Sequence, residues 1–253
     1  MEALEIWQLG LLSLVGIVAG FLNVMAGGGS LLTVPIMVFM GIPGPVANGT
    51  NRIAILAQNI SAVTSFFKRG FSEFKLSLSL TACALPGAVA GAMVGTQLDG
   101  VWFNRTLAII MVGVMLIMFF DKGKNPNAPN AEPNRKQLVW GHILMVGVGF
   151  YGGFIQLGVG FIIMPVLHRV MGFDLVRTNM HKVFIIACYS AAALWVFASQ
   201  VEILWVVGLA LAFGNSIGGW IAAAVQVKQG EGIIKLVLNV VLVAFIIKLL
   251  FFS

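Results

Sequence analysis

Two glycine clusters, Gly27-Gly28-Gly29-Ser30 and Gly158-Val159-Gly160, interrupt apolar stretches of this 253-residue chain. A glycine run inside such a stretch ends a helix and bares backbone N–H and C=O groups. In a membrane that is tolerated only inside protein or beside a water-filled cavity. A short helix starting just after the break aims its N–H groups and its positive dipole end at that cavity. Two such ends would make an anion site from backbone alone, and Ser30 could cap its helix or donate its hydroxyl to the ligand. Downstream of each break lies a polar knot, Asn48-Gly49-Thr50-Asn51-Arg52 and Arg177-Thr178-Asn179-Met180-His181-Lys182. Amides and hydroxyls there would hydrogen-bond sulfonate or carboxylate oxygens. Arg52 or Lys182 would supply the countercharge, which acts more strongly in low dielectric. Thr50-Asn51 and Thr178-Asn179 read as matching pairs, while Asn23 and Gln156 precede the two breaks and would face the same cavity. The candidate substrate-binding set is Asn23, Gly28, Gly29, Ser30, Thr50, Asn51, Arg52, Gln156, Gly158, Gly160, Thr178, Asn179, His181 and Lys182.

Each feature also has a plainer reading. Glycines let helices pack closely, Arg and Lys anchor helix ends at the interface, and buried amides such as Gln58, Asn59 and Asn215 bond between helices. Absences narrow the chemistry. Every Asp and Glu reads as lying in a loop or at a segment end, whereas a cation carrier or carboxylate relay normally needs a buried acid. His181 is the one group near a candidate site that titrates near neutrality. The three histidines are scattered, and Cys83 and Cys188 read as packing residues, so no metal and no cofactor is expected. No acid pair and no Ser–His or Cys–His arrangement appears at helical spacing, so the chain reads as no enzyme.

The elements that must hold these residues are apolar throughout. Hydrophobic residues make up 59% of the chain and charged residues 9%, against about 25% in soluble domains. Mean hydropathy is +0.99. Apolar segments run at 6–25, 31–41, 47–66, 75–97 and 102–120, then at 138–156, 160–171, 175–200, 203–227 and 231–252. The acidic start and the want of a small-residue cleavage site make the first segment part of the mature chain. Between the two sets lies a solvated Lys-, Asn- and Pro-rich linker. The halves share the order of glycine break, short segment with a proline (Pro35 or Pro165), polar knot and small-residue helix. The reading is an all-α polytopic membrane protein of two inverted repeats, 1–121 and 138–253, joined by a cytoplasmic linker at 122–137. With the linker inside, Arg52, Arg105 and Lys248 alone among the basic residues fall outside, as the positive-inside rule prefers. The short second segment of each half spans half a bilayer and could cross or re-enter. Faces at Gly87–Gly95 and Gly214–Gly219 can pack within one chain or between two, the latter giving a homodimer.

Gly16, Gly20, the Gly27-Gly28-Gly29-Ser30 run, Pro35 and Asn48-Gly49-Thr50-Asn51 resemble the first-half signature of the sulfite exporter TauE/SafE family of anion permeases. Gly152-Gly153, Gly158, Gly160, Pro165 and Thr178-Asn179 resemble its second half. The resemblance covers nearly the whole chain. It implies transport of sulfite, sulfoacetate or a related organosulfonate, outward across the bacterial inner membrane by alternating access. The expected partners are a small anion and the lipid bilayer, with no nucleic acid. An uptake carrier or channel for another small anion is the alternative.

Overall fold

The structure, a computed structural model, describes residues 6–98, 100–103, 105, 106, 109, 113 and 132–229. The segment expected at 231–252, most of that at 102–120 and most of the linker lie outside the described residues. The rest is all helical: α1 (Ile6–Ala26), α2 (Ser30–Phe39), α3 (Gly44–Phe67), α4 (Phe74–Thr96), α5 (Arg135–Phe154), α6 (Val159–Pro165, continued by a π-turn at Val166–Val170), α7 (Leu175–Gln200) and α8 (Trp205–Gln229). α3 begins earlier than the apolar pattern predicts, with Pro45 in its first turn, where a missing N–H costs nothing. α5 begins at Arg135, so the linker ends sooner than expected. Asn134 and Gln137 form a reciprocal capping box there, the side chain of each accepting the other's backbone N–H.

Trp7–Ala26, Phe74–Thr96, Leu175–Gln200 and Trp205–Gln229 are long and apolar enough to cross a bilayer. α3 has the length, 24 residues, but buries Asn48, Thr50, Asn51, Arg52, Gln58 and Asn59. Its polarity is turned into the bundle. α2, with 10 residues, is about 15 Å long and cannot cross. Large apolar side chains face outward along whole helices, among them Trp7, Leu11, Leu14 and Val18 on α1 and Trp205, Leu209 and Phe213 on α8. Such a belt is stable against lipid, not water. The chain is a multi-pass membrane protein.

Two tight helix pairs wall the bundle. α4 lies along α5, and α1 along α8, while α3 and α7 pack on each other and on those pairs. The small residues expected to form faces are used here, within the chain. A Cβ on Gly87, Gly91 or Gly95 would strike the carbonyls of Val146, Phe150 and Phe154. A Cβ on Gly214 or Gly218 would strike those of Ser13 and Ile17. In lipid, where apolar burial gives no net drive, this backbone proximity supplies the packing. Gly91→Ala should therefore cost about 1–3 kcal/mol by overpacking. Thermal unfolding in detergent checks it: Gly147→Ala, beside open space on the same α5, should leave the midpoint unchanged.

Candidate functional site

The two glycine breaks meet at the centre of the bundle. α1 stops at Ala26, and Gly27 turns the chain with φ +88°, a conformation only glycine adopts cheaply. α5 stops at Phe154, and the chain turns through Gln156 (φ +62°) and Gly158 (φ +65°) into α6. Gly27 and Gly160 touch through their backbones, and a Cβ on either would fall on the other's Cα. In this arrangement the breaks are closed against each other: at Gly27–Gly160 there is no room for a methyl group. Gly28 faces the Phe161 ring and Gly29 backs onto Ala19 and Asn23. Ser30 does not cap its own helix. Its hydroxyl accepts the Gly158 N–H at 3.3 Å and so ties one break to the other.

Breaking a helix leaves its last carbonyls without partners. A buried cation from the opposite half supplies them at each break. Arg52 on α3 donates to the Gly152 oxygen at 3.1 Å and to the Gly153 oxygen, both in the last turn of α5. Lys182 on α7 donates to the Val24 oxygen at 2.8 Å and the Asn23 oxygen at 3.2 Å, in the last turn of α1. Positive charge at a helix C-terminus also answers the negative end of its dipole. The guanidinium of Arg52 lies 4.3 Å from the Phe197 ring centre, a cation–π contact. Side-chain amides extend the pattern: Asn48 donates to the Phe154 oxygen at 3.0 Å and Asn179 to the Met25 oxygen at 3.3 Å. Both cations are buried, so interfacial anchoring is excluded for them. Among the described residues no carboxylate pairs with either.

This geometry corrects the register between the halves. Arg52 and Lys182 do the same work, and the spacing Gly28–Pro35–Arg52 equals Gly158–Pro165–Lys182. Thr178-Asn179 thus stands against Asn48-Gly49 and not against Thr50-Asn51. The Thr50 hydroxyl accepts the Leu204 N–H at 3.1 Å just before α8. Asn51 accepts the Thr33 hydroxyl at 2.7 Å. Thr178 keeps a buried hydroxyl with no protein partner. Asn179 donates to Gln226 at 2.6 Å, and Gln156 to Ser190 at 3.0 Å. Of the interhelical amides, Asn215 bonds Gln58 at 3.2 Å, whereas Asn59 bonds back to Ile55 in its own helix.

His181 is not at the breaks. Its ring packs on Phe173, its Nδ1 meets the Ser77 hydroxyl at 2.8 Å, and its Nε2 lies 3.4 Å from Glu73. Sequence reasoning set Glu73 aside as a loop acid and missed Ser77, Tyr189 and Gln226. Gln226 was findable as a lone amide in an apolar run. Glu73 was not, since its partners come from another helix.

Several buried donors lack partners, Arg52 Nε, the Thr178 and Tyr189 hydroxyls and the Gln58 and Gln226 amides, as do the side-chain oxygens of Asn48, Gln156, Asn179 and Asn215. Orphaned donors in a buried site mark where water or a ligand's acceptors belong. Among the described residues no group of His, Cys, Asp and Glu could hold a metal ion. The cations' structural role gives a direct test. Arg52→Ala strands two carbonyls and should lower stability by about 2–3 kcal/mol. Arg52→Lys keeps the charge but not the fork, and its thermal midpoint should lie between the two.

Residues 12–249 match the family model described as sulfite exporter TauE/SafE. The chain is 29% identical over 252 residues to "Probable membrane transporter protein ORF9" of Sinorhizobium sp., covering 99% of this chain and 95% of that protein. It is 26% identical over 231 residues to a "Probable membrane transporter protein" of Haemophilus influenzae, covering 90% and 88%. With YunE of Bacillus subtilis, named in the same way, it shares 24% over 259 residues, covering 92% and 94%. No solved structure shows a significant match. With the family model spanning nearly all of the chain, and with relatives named as membrane transporters, this protein is a membrane transporter that belongs to the sulfite exporter TauE/SafE family.

Proposed function

We propose that the protein exports a small sulfur-containing anion, sulfite or an organosulfonate such as sulfoacetate, across the bacterial inner membrane. The observation that carries the sign of the substrate is the pair of buried cations, Arg52 and Lys182, with no carboxylate beside them among the described residues. Uncompensated positive charge in a low-dielectric interior is costly, and a bound anion lowers that cost. Arg52 Nε and the Thr178 hydroxyl, both without a protein partner, are donors that sulfonate oxygens can accept from. The sulfur chemistry is carried by the family alone.

Alternating access fits the closed contact of the breaks. Each capped helix end is held by the other half, so movement of one half against the other must part Gly27 from Gly160. That parting opens space beside Arg52, Lys182 and Thr178. Inverted repeats would make the two openings equivalent on opposite sides. The inside-negative potential favours anion exit by about 2.3 kcal/mol per charge per 100 mV.

The test is ligand-dependent thermal stabilisation at matched ionic strength. Sulfite or a sulfonate at saturating concentration should raise the midpoint by roughly 5–10 °C, while simple carboxylates should not. Folded protein that no anion stabilises would overturn the reading. A selective shift with another anion would point to a different substrate. Thr178→Val removes a hydroxyl that bonds nothing in the protein, so stability should hold while vesicle transport falls about tenfold, the loss of one ligand hydrogen bond of about 1.4 kcal/mol.

A further inference from the structure

On the reading that the protein transports an anion, we propose that Glu73, His181 and Ser77 form a proton-binding site that couples transport to a pH gradient. The site is built from three elements at one end of the bundle. Glu73 precedes α4, Ser77 lies in the first turn of α4, and His181 lies near the start of α7. His181 is fully buried, and a buried imidazole that takes up a proton needs partners for both its neutral and charged forms. Ser77 meets Nδ1 at 2.8 Å and can donate or accept. Glu73 meets Nε2 at 3.4 Å, an ion-pair distance short of an aligned hydrogen bond, so this contact can tighten when the ring is charged.

The surrounding charges are few. Arg177 grips both oxygens of Glu73 at 2.6 Å, and Glu132 reaches Arg177 at 3.3 Å. Asp174 caps the start of α7 by accepting the Arg177 N–H at 2.8 Å. Phe173 covers the imidazole on its other side. Closeness to His181 first, then to Arg177, holds Glu73 down at about 2 despite its partial burial. The carboxylate is therefore ionised throughout the range in which an imidazole gains or loses its proton. Solvent reaches it: the Glu73 side chain is 36% exposed, and with Ser77, Phe66, Phe74, Met180 and Phe184 it lines a small cleft.

The same stretch of α7 connects this site to the break. Arg177 and His181 reach Glu73, while Asn179 and Lys182, on the helix's other side, hold the Met25, Val24 and Asn23 carbonyls that end α1. A proton on His181 adds a second cation to Glu73, in competition with Arg177, and so pulls on the segment that fastens α1. In the first half, Asn51 stands at the position of His181, and it does not titrate. Protonation therefore acts on one end of the carrier, and it couples to transport by changing the balance between the carrier's two arrangements.

The experiment uses the full chain in vesicles, with sulfite and the membrane potential clamped. Net flux should respond to an imposed pH gradient, by up to about tenfold per unit and per coupled proton. Glu73→Gln and His181→Gln should remove that response, and Glu73→Gln should still exchange sulfite across the membrane without a gradient. Wild-type protein that exchanges sulfite but ignores the gradient, or variants that still follow it, would overturn the proton site. A readout free of substrate separates this from the transport reading. The wild-type thermal midpoint should change between pH 5 and 8, and His181→Gln should flatten that profile. A profile the variant leaves intact overturns the site whether or not sulfite is carried.

Discussion

The bundle depends on one exchange: each half ends its first helix in the middle of the molecule, and the other half supplies the donors for the stranded carbonyls. Arg52 serves α5 and Lys182 serves α1. In hydrocarbon an unmet carbonyl costs several kcal/mol, and water is scarce at that depth. The cations are therefore conditions for having breaks at all. Because each cap crosses between halves, neither half can keep its break satisfied alone. The Ser30–Gly158 bond and the Gly27–Gly160 contact then draw the two breaks against each other.

Close packing follows from the same medium. Glycines on α4 and α5 interlock, and glycines on α1 and α8 do likewise, with each position set against a partner's carbonyl. These pairs make two stiff walls. Between them, α3 and α7 carry more than half of the buried polar side chains, Arg52 and Lys182 among them. Rigidity thus sits in the small-residue pairs, and chemistry sits on the two helices that they enclose. A carrier needs that division, since packed interfaces switch between discrete arrangements and do not deform continuously.

Much of this was legible in the sequence, for physical reasons that differ by element. The segments, the breaks and the small-residue faces are local patterns of hydropathy and glycine, and among the described residues they appear close to where expected. The register between the halves was misjudged, because similar dipeptides, Thr50-Asn51 and Thr178-Asn179, draw the eye more than Arg52 and Lys182, which share a function but not a side chain. Their common role depends on which carbonyls lie opposite, a property of tertiary structure. Of the two roles open to Ser30, capping its own helix is not the one taken, and its actual partner, 128 residues away, is invisible to local reading. His181 was placed near the breaks by its neighbours in sequence, yet a helix turns adjacent residues to different sides. One step of about 100° along α7 separates the imidazole at Glu73 from the ammonium at Val24.

The differences between the halves then acquire a meaning that their likeness hides. In the first half the cap is a guanidinium, forked across two carbonyls and stacked on Phe197, a group that keeps its charge in proteins. In the second half it is an ammonium, a compact charge with Met164 as its remaining neighbour at 4.0 Å, and the next residue back is a buried histidine. A fork with five donors holds a planar geometry; a single ammonium can shift between carbonyls at little cost. The α5 end is thus the more firmly fastened and the α1 end the more adjustable. Gradients alone set the direction of net transport; asymmetry between the ends can set the affinity and rate on each side. Here the adjustable cap and the titratable side chain fall on the same turn of the same helix, so asymmetry introduced at two adjacent positions acts on one break alone.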